Sequence, residues 1–266
     1  MSAVLSGEGL AVRYGSGRAA RLVVDDVSLE LAEGLTLGLV GESGSGKSTV
    51  ARALVGLAPL RDGTVRVDGD VVDVRRRRGR ARLRASVQLV FQNPQSSLNP
   101  RMTVAELVGE AVRAHRALPR RALGAEVRRL LELVTLDAAY AARYTHELSG
   151  GQRQRVALAR ALATEPRALI ADEITSALDV SVQAAVLNLL RRLQAELGLS
   201  MLFISHDLAV VRNLCDAVVV MRHGRVVERG ACGPLFDAPS DPYTKALLDA
   251  VPRMHTQSPT PTGSPR

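Results

Sequence analysis

The sequence contains no tryptophan, and aromatic residues make up only 3% of its 266 residues. Proteins that bind single-stranded nucleic acid use aromatic side chains as stacking platforms for the bases. Because the sequence offers few such surfaces, we expect no nucleic-acid partner.

Cysteine and long apolar runs are also scarce. Cys215 and Cys232 are the two cysteines and lack metal-type spacing, so we expect reduced cytosolic thiols rather than a disulfide framework. No apolar run approaches the ~20 residues of a membrane-spanning helix, and residues 1–17 lack the apolar segment of a signal peptide. If the protein works at a membrane, another chain must supply the spanning segments.

Lysine is rare in a basic sequence. The net charge is +8, yet Lys47 and Lys245 are the only lysines among 35 basic residues. Seven arginines fall between Arg75 and Arg84. Such a run is typical of nucleic-acid binding or of a loop near acidic lipid headgroups. A solvated basic loop fits it equally well, and the three alternatives stay open.

The order of apolar patterns predicts an α/β protein. Short alternating segments at 10–14, 23–31 and 63–67 predict an antiparallel sheet, whereas the nearly continuous apolar run 35–40 predicts a strand buried on both faces. Residues 103–164 read as helical, with a capping box at Thr103 and Glu106. From residue 168 onwards, strands alternate with helices, which indicates a parallel sheet.

Residues 41–49, GESGSGKST, fit the phosphate-binding pattern G-x-x-x-x-G-K-[ST] between a buried strand and a helix. The glycines let backbone N–H groups converge on phosphate oxygens, and the helix adds its positive amino-terminal end. Lys47 is expected to reach the β and γ phosphates of ATP, and Ser48 to offer its hydroxyl to Mg²⁺. The predicted ATP-binding residues are Gly41, Glu42, Ser43, Gly44, Ser45, Gly46, Lys47, Ser48 and Thr49.

Residues 148–152, LSGGQ, resemble the signature of ATP-binding-cassette (ABC) ATPases. The resemblance implies that this helix start caps the γ-phosphate of ATP held by a partner subunit, so that two ATP molecules lie between two subunits. The residues implied for the partner's site are Ser149, Gly150, Gly151, Gln152 and, in the D-loop SALD, Asp179.

Residues 168–173, ALIADE, match the family's Walker B motif. The match implies that Asp172 holds Mg²⁺ and that Glu173 is the general base that polarises the attacking water. The family usually has proline after this glutamate, but here the residue is Ile174. Because Asp172, Glu173 and the D-loop are intact, we still expect hydrolysis.

Three further residues carry weaker resemblances. His206 is similar to the switch histidine that contacts the γ-phosphate. Gln92 is similar to the Q-loop glutamine that senses Mg²⁺ and water. Tyr14 is similar to the aromatic residue that stacks on adenine.

The resemblance implies a P-loop NTPase core with a mixed sheet, an N-terminal antiparallel β-subdomain and an inserted α-helical subdomain. We expect one ABC ATPase domain over 1–252, with the core at about 1–92 and 165–230, the helical subdomain at about 93–164, and a disordered tail over 253–266.

Residues 92–104 and 241–248 resemble the oligopeptide, dipeptide and nickel importer subgroup. This implies integral-membrane permeases, an extracellular solute-binding protein and a second ABC ATPase, in a heterodimer or alternatively a homodimer, at the cytoplasmic face of the membrane. We expect an ATP-hydrolysing subunit that powers uptake of a small solute, with di- or oligopeptides favoured. Because the sequence lacks the Cys-rich extension of longer peptide-importer ATPases, nickel or another small solute remains the alternative. A non-transport ABC ATPase acting on nucleic acid or ribosomes is the other alternative.

Overall fold

The computed structural model describes residues 2–15, 17–93, 97–116, 118–176 and 178–250. Its strands are β1 (Ala3–Tyr14), β2 (Arg21–Ala32), β3 (Thr36–Val40), β4 (Leu60–Val67), β5 (Asp70–Val72), β6 (Val87–Val90), β7 (Ala168–Asp172), β8 (Ser200–Ile204), β9 (Ala217–Arg222) and β10 (Arg225–Ala231). Its α-helices are α1 (Lys47–Leu54), α2 (Arg77–Ser86), α3 (Val104–His115), α4 (Arg120–Leu133), α5 (Gly150–Leu162), α6 (Val180–Leu197), α7 (Leu208–Leu214), α8 (Cys232–Asp237) and α9 (Pro242–Asp249).

The strands form two sheets. The first is antiparallel, in the order β2-β1-β4-β5, and the second follows the order β10-β9-β3-β8-β7-β6. In the second sheet all neighbours are parallel except β10 and β9, which pair antiparallel. The fold is therefore α/β with a mixed sheet beside an antiparallel one, as the sequence predicts.

The mixed sheet has a hydrophobic core on each face. Along β8, Met201 and Phe203 belong to one buried cluster while Leu202 and Ile204 belong to the other. Successive side chains of a strand point to opposite faces, so a strand between two cores is expected to be mostly apolar. This explains why the run 35–40 predicts β3 correctly, since every residue of that strand is buried.

The helices α3, α4 and α5 pack against one another. The predicted capping box at the start of α3 is confirmed: Thr103 Oγ1 accepts from the backbone N–H of Glu106, whose carboxylate accepts from the backbone N–H of Thr103. The stretch 103–164, predicted to be helical, contains α3, α4 and α5, and α6 lies in the region where strands and helices are predicted to alternate.

Two of the three alternatives left open for the arginine run describe it as a loop, and in this they are wrong, because residues 77–84 form most of helix α2. Arginine and alanine are good helix formers, and Leu83 on this helix is fully buried, which fixes the helix to the protein. The expected tail at 253–266 lies outside the described residues, and none of the helices they form is long and apolar enough to cross a membrane.

An ion-pair network joins the end of α3 to α4. Arg116 and Arg129 both contact the Glu126 carboxylate, and Arg129 does so through two nitrogens, at 2.7 and 3.0 Å. The hydrogen bond from Arg129, helped by Arg116, lowers the pKa of Glu126 from 4.5 to about 2 against the opposing effect of burial. A depressed carboxyl pKa stabilises the folded state above the unfolded pKa, and this contribution is lost as the pH falls towards 2.

We therefore expect Glu126→Gln to lower the free energy of unfolding by about 1 to 2 kcal/mol at pH 7. The full shift would correspond to about 3 kcal/mol, but solvent around the half-exposed Arg129 screens part of it. Urea unfolding at pH 7, 4 and 3 checks this, and the deficit should shrink from about pH 5 downwards. Glu132→Gln, on an exposed position of the same helix, is the control. An equal loss at pH 7 in both variants would contradict the network.

Candidate functional site

The predicted phosphate loop connects the end of β3 to the start of α1. Gly41 and Gly46 take positive φ angles of 148° and 104°. A Cβ atom would lie 2.1 Å from the carbonyl oxygen of Met221 at position 41, and 3.0 Å from that of Val23 at position 46. Because only glycine tolerates both this backbone and this approach, the loop's path depends on these two residues.

Lys47 is buried inside this loop, with 4% of its surface exposed. Its Nζ donates to the carbonyl oxygens of Gly41 at 2.7 Å and Glu42 at 2.8 Å. Burial lowers the pKa of Lys47, while the carboxylates of Glu173, Asp172 and Glu42 act to raise it. A buried ammonium among carbonyl groups is suited to an anionic ligand, which would form stronger, charge-assisted hydrogen bonds.

Two of the predicted magnesium residues meet beside Lys47. The hydroxyl of Ser48, in the first turn of α1, donates to Asp172 Oδ1 at 2.8 Å. Burial raises the pKa of Asp172, the Ser48 hydroxyl acts to lower it, and the charge of Glu173 acts to raise it. A hydroxyl and a carboxylate oxygen are the hard donors that Mg²⁺ prefers, so this pair fits that ion.

The three predicted catalytic residues converge on one carboxylate oxygen. Glu173 Oε2 accepts from Gln92 Nε2 at 2.9 Å and lies 3.6 Å from His206 Nδ1. Glu173 itself has a φ of 48°, and its N–H donates to the Ile204 carbonyl at 3.0 Å. Left-handed φ angles at non-glycine residues carry strain and cluster at active sites. Gln92, also predicted for the metal, contacts the predicted base rather than Asp172.

The signature residues form a second cluster. Ser149 is the N-cap of α5, where its Oγ accepts from the N–H of Gln152 at 3.3 Å, and Gln152 Oε1 accepts from the N–H of Ser149 at 2.8 Å. Gly151 lies against Val182, since a Cβ at position 151 would lie 2.4 Å from Val182 Cγ1. Asp179 caps α6 at this contact by accepting from the N–H of Val182.

A cavity of about 450 Å³ opens in front of this second cluster. Ser149, Gly151 and Gln152 line it from the start of α5, and Ser181 and Val182 line it from the start of α6. The amino-terminal end of a helix, with its free N–H groups, attracts anions. The structure thus brings the signature residues and the start of α6, which follows the D-loop, to one anion-suited surface.

Tyr14 lies at the end of β1 with 38% of its surface exposed. Its predicted role with adenine stays a prediction. Glu42, Ser43 and Gly44 are exposed in the loop, and Thr49 is partly buried in α1.

Two tyrosines that the sequence does not single out contact predicted site residues. Tyr140 Oη accepts from Gln152 Nε2 at 2.8 Å, and Tyr243 Oη accepts from the N–H of Glu42 at 3.0 Å. Tyr243 and Glu42 are 201 positions apart, and no local pattern connects them. The one sequence signal is that Tyr243 lies within residues 241–248, which otherwise serve only to indicate the subgroup.

Comparison with known proteins agrees with the geometry. The family described as ABC transporter matches residues 24–176. A protein of Brucella abortus (strain 2308), named as a peptide import ATP-binding protein, is 48% identical over 251 residues, which cover 94% of this chain and 75% of the relative. A Brucella ovis protein with the same kind of name is 46% identical over 249 residues, covering 94% of this chain and 78% of the relative.

Solved structures match as well. This chain is similar to cbiO1 from Clostridium perfringens, part of the ABC transporter complex cbiONQ, with a TM-score of 0.80 and 30% identity over 89% of this chain and 92% of that one. It is also similar to a dimeric ATP-binding cassette in a post-hydrolysis state bound to ADP and Pi, with a TM-score of 0.77 and 27% identity over 86% of this chain and 98% of that one.

Proposed function

The chain belongs to the ABC transporter family and is an ATP hydrolase, and on that premise we propose that it powers peptide uptake as the ATP-binding subunit of an importer. The observation that carries the proposal is the similarity, at 46 to 48% identity, to relatives named for peptide import over nearly the whole chain. The DPYTKALL segment at 241–248 supports the same subgroup.

In the proposed site, Lys47 and backbone N–H groups of the loop 41–49 hold the phosphates of ATP, while the N–H of Glu42 donates to Tyr243. When ATP binds, Lys47 Nζ would donate to the β and γ phosphate oxygens in place of the carbonyl oxygens of Gly41 and Glu42. The phosphate oxygens are anionic and therefore form stronger hydrogen bonds with the ammonium group than neutral carbonyls do. Ser48 and Asp172 would hold Mg²⁺, which when bound neutralises charge on the phosphates.

Glu173 is the proposed general base. Its Oε2 would accept the proton of the attacking water, and Gln92 and His206, which already surround that oxygen, would orient the water. The strained backbone of Glu173, anchored through its N–H to β8, holds the carboxylate beside Asp172 without relying on a flexible loop.

The cluster at Ser149, Gly150, Gly151, Gln152 and Asp179 is proposed to act on ATP held by a second ATPase subunit. Its cavity is lined from α5 and α6 rather than from the phosphate loop. Since a working site then needs the phosphate loop of one subunit and the helix start of another, we propose a dimer, with a different ATPase or with a second copy.

A groove of about 450 Å³ is the proposed contact for a permease at the cytoplasmic face of the membrane. Its lining combines the exposed Leu57, Phe91 beside the predicted Q-loop residue Gln92, and Ala111 and Ala114 of α3. A cytoplasmic segment of the permease docked here would touch Phe91. Because the adjacent Gln92 contacts Glu173, nucleotide-dependent movement of the site would pass through this segment to the membrane. We also propose the division into a core at about 1–92 and 165–230 and a helical subdomain at about 93–164.

The test is purification of the intact membrane complex, followed by ligand screening of its solute-binding protein and ATP-dependent uptake in proteoliposomes. We expect an integral permease to co-purify and peptides to be bound and imported. Binding of nickel alone would move the assignment to the metal importers of the subgroup. Co-purification with nucleic acid or ribosomes, without a permease, would overturn the proposal.

A further inference from the structure

The last described helix, α9, returns to the phosphate loop. Tyr243, in the first turn of α9, is buried with 7% of its surface exposed. Its hydroxyl accepts a hydrogen bond from the N–H of Glu42 at 3.0 Å. Glu42 lies two residues beyond the end of β3. This partly buried hydrogen bond therefore ties the start of the loop to α9.

Several contacts fix the position of the Tyr243 hydroxyl. Asp241 caps α9 by accepting from the N–H of Tyr243 at 2.8 Å. Glu228 of β10 accepts from the N–H groups of Ser240 at 2.7 Å and Asp241 at 3.3 Å, which ties the start of α9 to the sheet. The guanidinium of Arg222 lies 4.7 Å from the centre of the Tyr243 ring, within cation–π distance.

Glu42, which Tyr243 contacts, also contacts Lys47. The carbonyl oxygen of Glu42 accepts from Lys47 Nζ at 2.8 Å, so the residue is held at its N–H by Tyr243 and at its C=O by the lysine. The loop is held at a second point by the turn after β9, where the N–H of Gly224 donates to the carbonyl oxygen of Ser45 at 3.0 Å. Two segments from the carboxyl-terminal part of the chain, the turn after β9 and helix α9, therefore hold the phosphate loop in place.

We propose that Tyr243 is a positioning residue of the phosphate loop, which sets the affinity for ATP by fixing the backbone of Glu42 and with it the path of the loop that leads to Lys47. The proposal rests on the proposed role of that loop in binding ATP. The DPYT segment would then be part of the nucleotide site, as well as a mark of the subgroup. Tyr243 does not touch the reacting atoms, so its effect falls on binding rather than on the chemical step.

The test is Tyr243→Phe in the full chain, which removes the hydroxyl and keeps the ring beneath Arg222. We expect the Kd of a fluorescent ATP analogue with Mg²⁺, and the KM for ATP, to rise about 3- to 10-fold, the loss typical of one neutral hydrogen bond. The kcat should stay within about 2-fold of wild type. Tyr144→Phe, which removes the hydroxyl of a tyrosine that is 42% exposed, is the matched control and should leave Kd unchanged.

A purely structural role predicts a different result. The melting temperature would then fall while Kd, measured at a temperature where both proteins are folded, stayed at the wild-type value, and this outcome would overturn the proposal. Hydrogen exchange of the Glu42 amide in the wild-type chain is an independent check that needs no variant. Exchange at the rate of an unprotected amide would show that the hydrogen bond does not form.

Lys47→Ala separates failure of this proposal from failure of the proposed function. If Lys47→Ala binds nucleotide as wild type does, the assignment of the phosphate loop itself is wrong. If Lys47→Ala loses binding while Tyr243→Phe keeps wild-type Kd and KM, the loop assignment holds and the role of Tyr243 is refuted.

Discussion

Glu173→Gln is expected to bind ATP with wild-type affinity and to hydrolyse it about 100- to 10,000-fold more slowly, the contribution typical of a positioned general base. The glutamine side chain has the same shape and still reaches Gln92 and His206, but its amide oxygen is too weak a base to take a proton from water. Because Lys47, Ser48 and Asp172 are unchanged, the residues proposed to hold the nucleotide and Mg²⁺ remain. The variant should therefore accumulate in the ATP-bound dimer.

Steady-state ATPase assays, nucleotide binding and size-exclusion chromatography with ATP measure these three properties. Glu165→Gln is a matched control, since Glu165 also has a left-handed φ, of 51°, and an exposed side chain that pairs with Arg116. It should hydrolyse ATP at nearly the wild-type rate. Turnover by Glu173→Gln above one tenth of wild type would reject Glu173 as the base.

The residue after Glu173 departs from the pattern of the family, and the structure shows what stands there. Ile174 is 2% exposed and belongs to the hydrophobic core. A proline would restrict the backbone of Glu173, whereas isoleucine anchors the segment by burying its side chain. Glu173 still forms its hydrogen bond to Ile204 of β8, so the carboxylate is held without the proline.

Local patterns predict the parts of the fold whose determinants are close together in the sequence. The strand β3 follows from the nearly continuous apolar run 35–40, and the start of α3 follows from a cap and an acid three residues apart. The phosphate loop is predictable because its glycines, lysine and serine act within nine residues. Helix α2 is not predicted, because its sequence is rich in arginine and shows no apolar periodicity. Leu83 is the one residue of this helix that is buried.

Contacts between distant segments are what the sequence does not reveal. The residues Gln92, Glu173 and His206 are predicted singly, by resemblance, but their meeting at one oxygen follows from the order of β6, β7 and β8 in the sheet. Tyr243 depends on α9 packing back against the sheet, which no short pattern encodes. In both cases the contact joins segments far apart in the sequence. The strand order brings the first set of residues together, and the packing of α9 brings Tyr243 to the loop.

Ser149→Arg is expected to abolish hydrolysis in the site of the partner subunit and to leave the site of its own phosphate loop intact. The substitution removes the N-cap of α5, which accepts from the N–H of Gln152, and places a long side chain in the cavity beside Gly151 and Gln152. Loss of a serine cap costs about 0.5 to 2 kcal/mol of helix stability. The chain should still fold and bind ATP at its own loop.

Mixed dimers of two differently tagged copies measure which site is lost. When one copy carries Lys47→Ala and the other Ser149→Arg, both defects fall in one composite site, so the second site is intact and up to half of the wild-type rate should remain. When one copy carries both substitutions beside a wild-type copy, each site has one defect and hydrolysis should be lost. The opposite pattern would place the signature residues in their own subunit's site and contradict a dimer whose sites are shared between the two subunits.

Ser181→Arg, on the facing wall of the same cavity, is a control that keeps the cap of α5. Comparing it with Ser149→Arg separates the effect of blocking the cavity from the effect of losing the helix start.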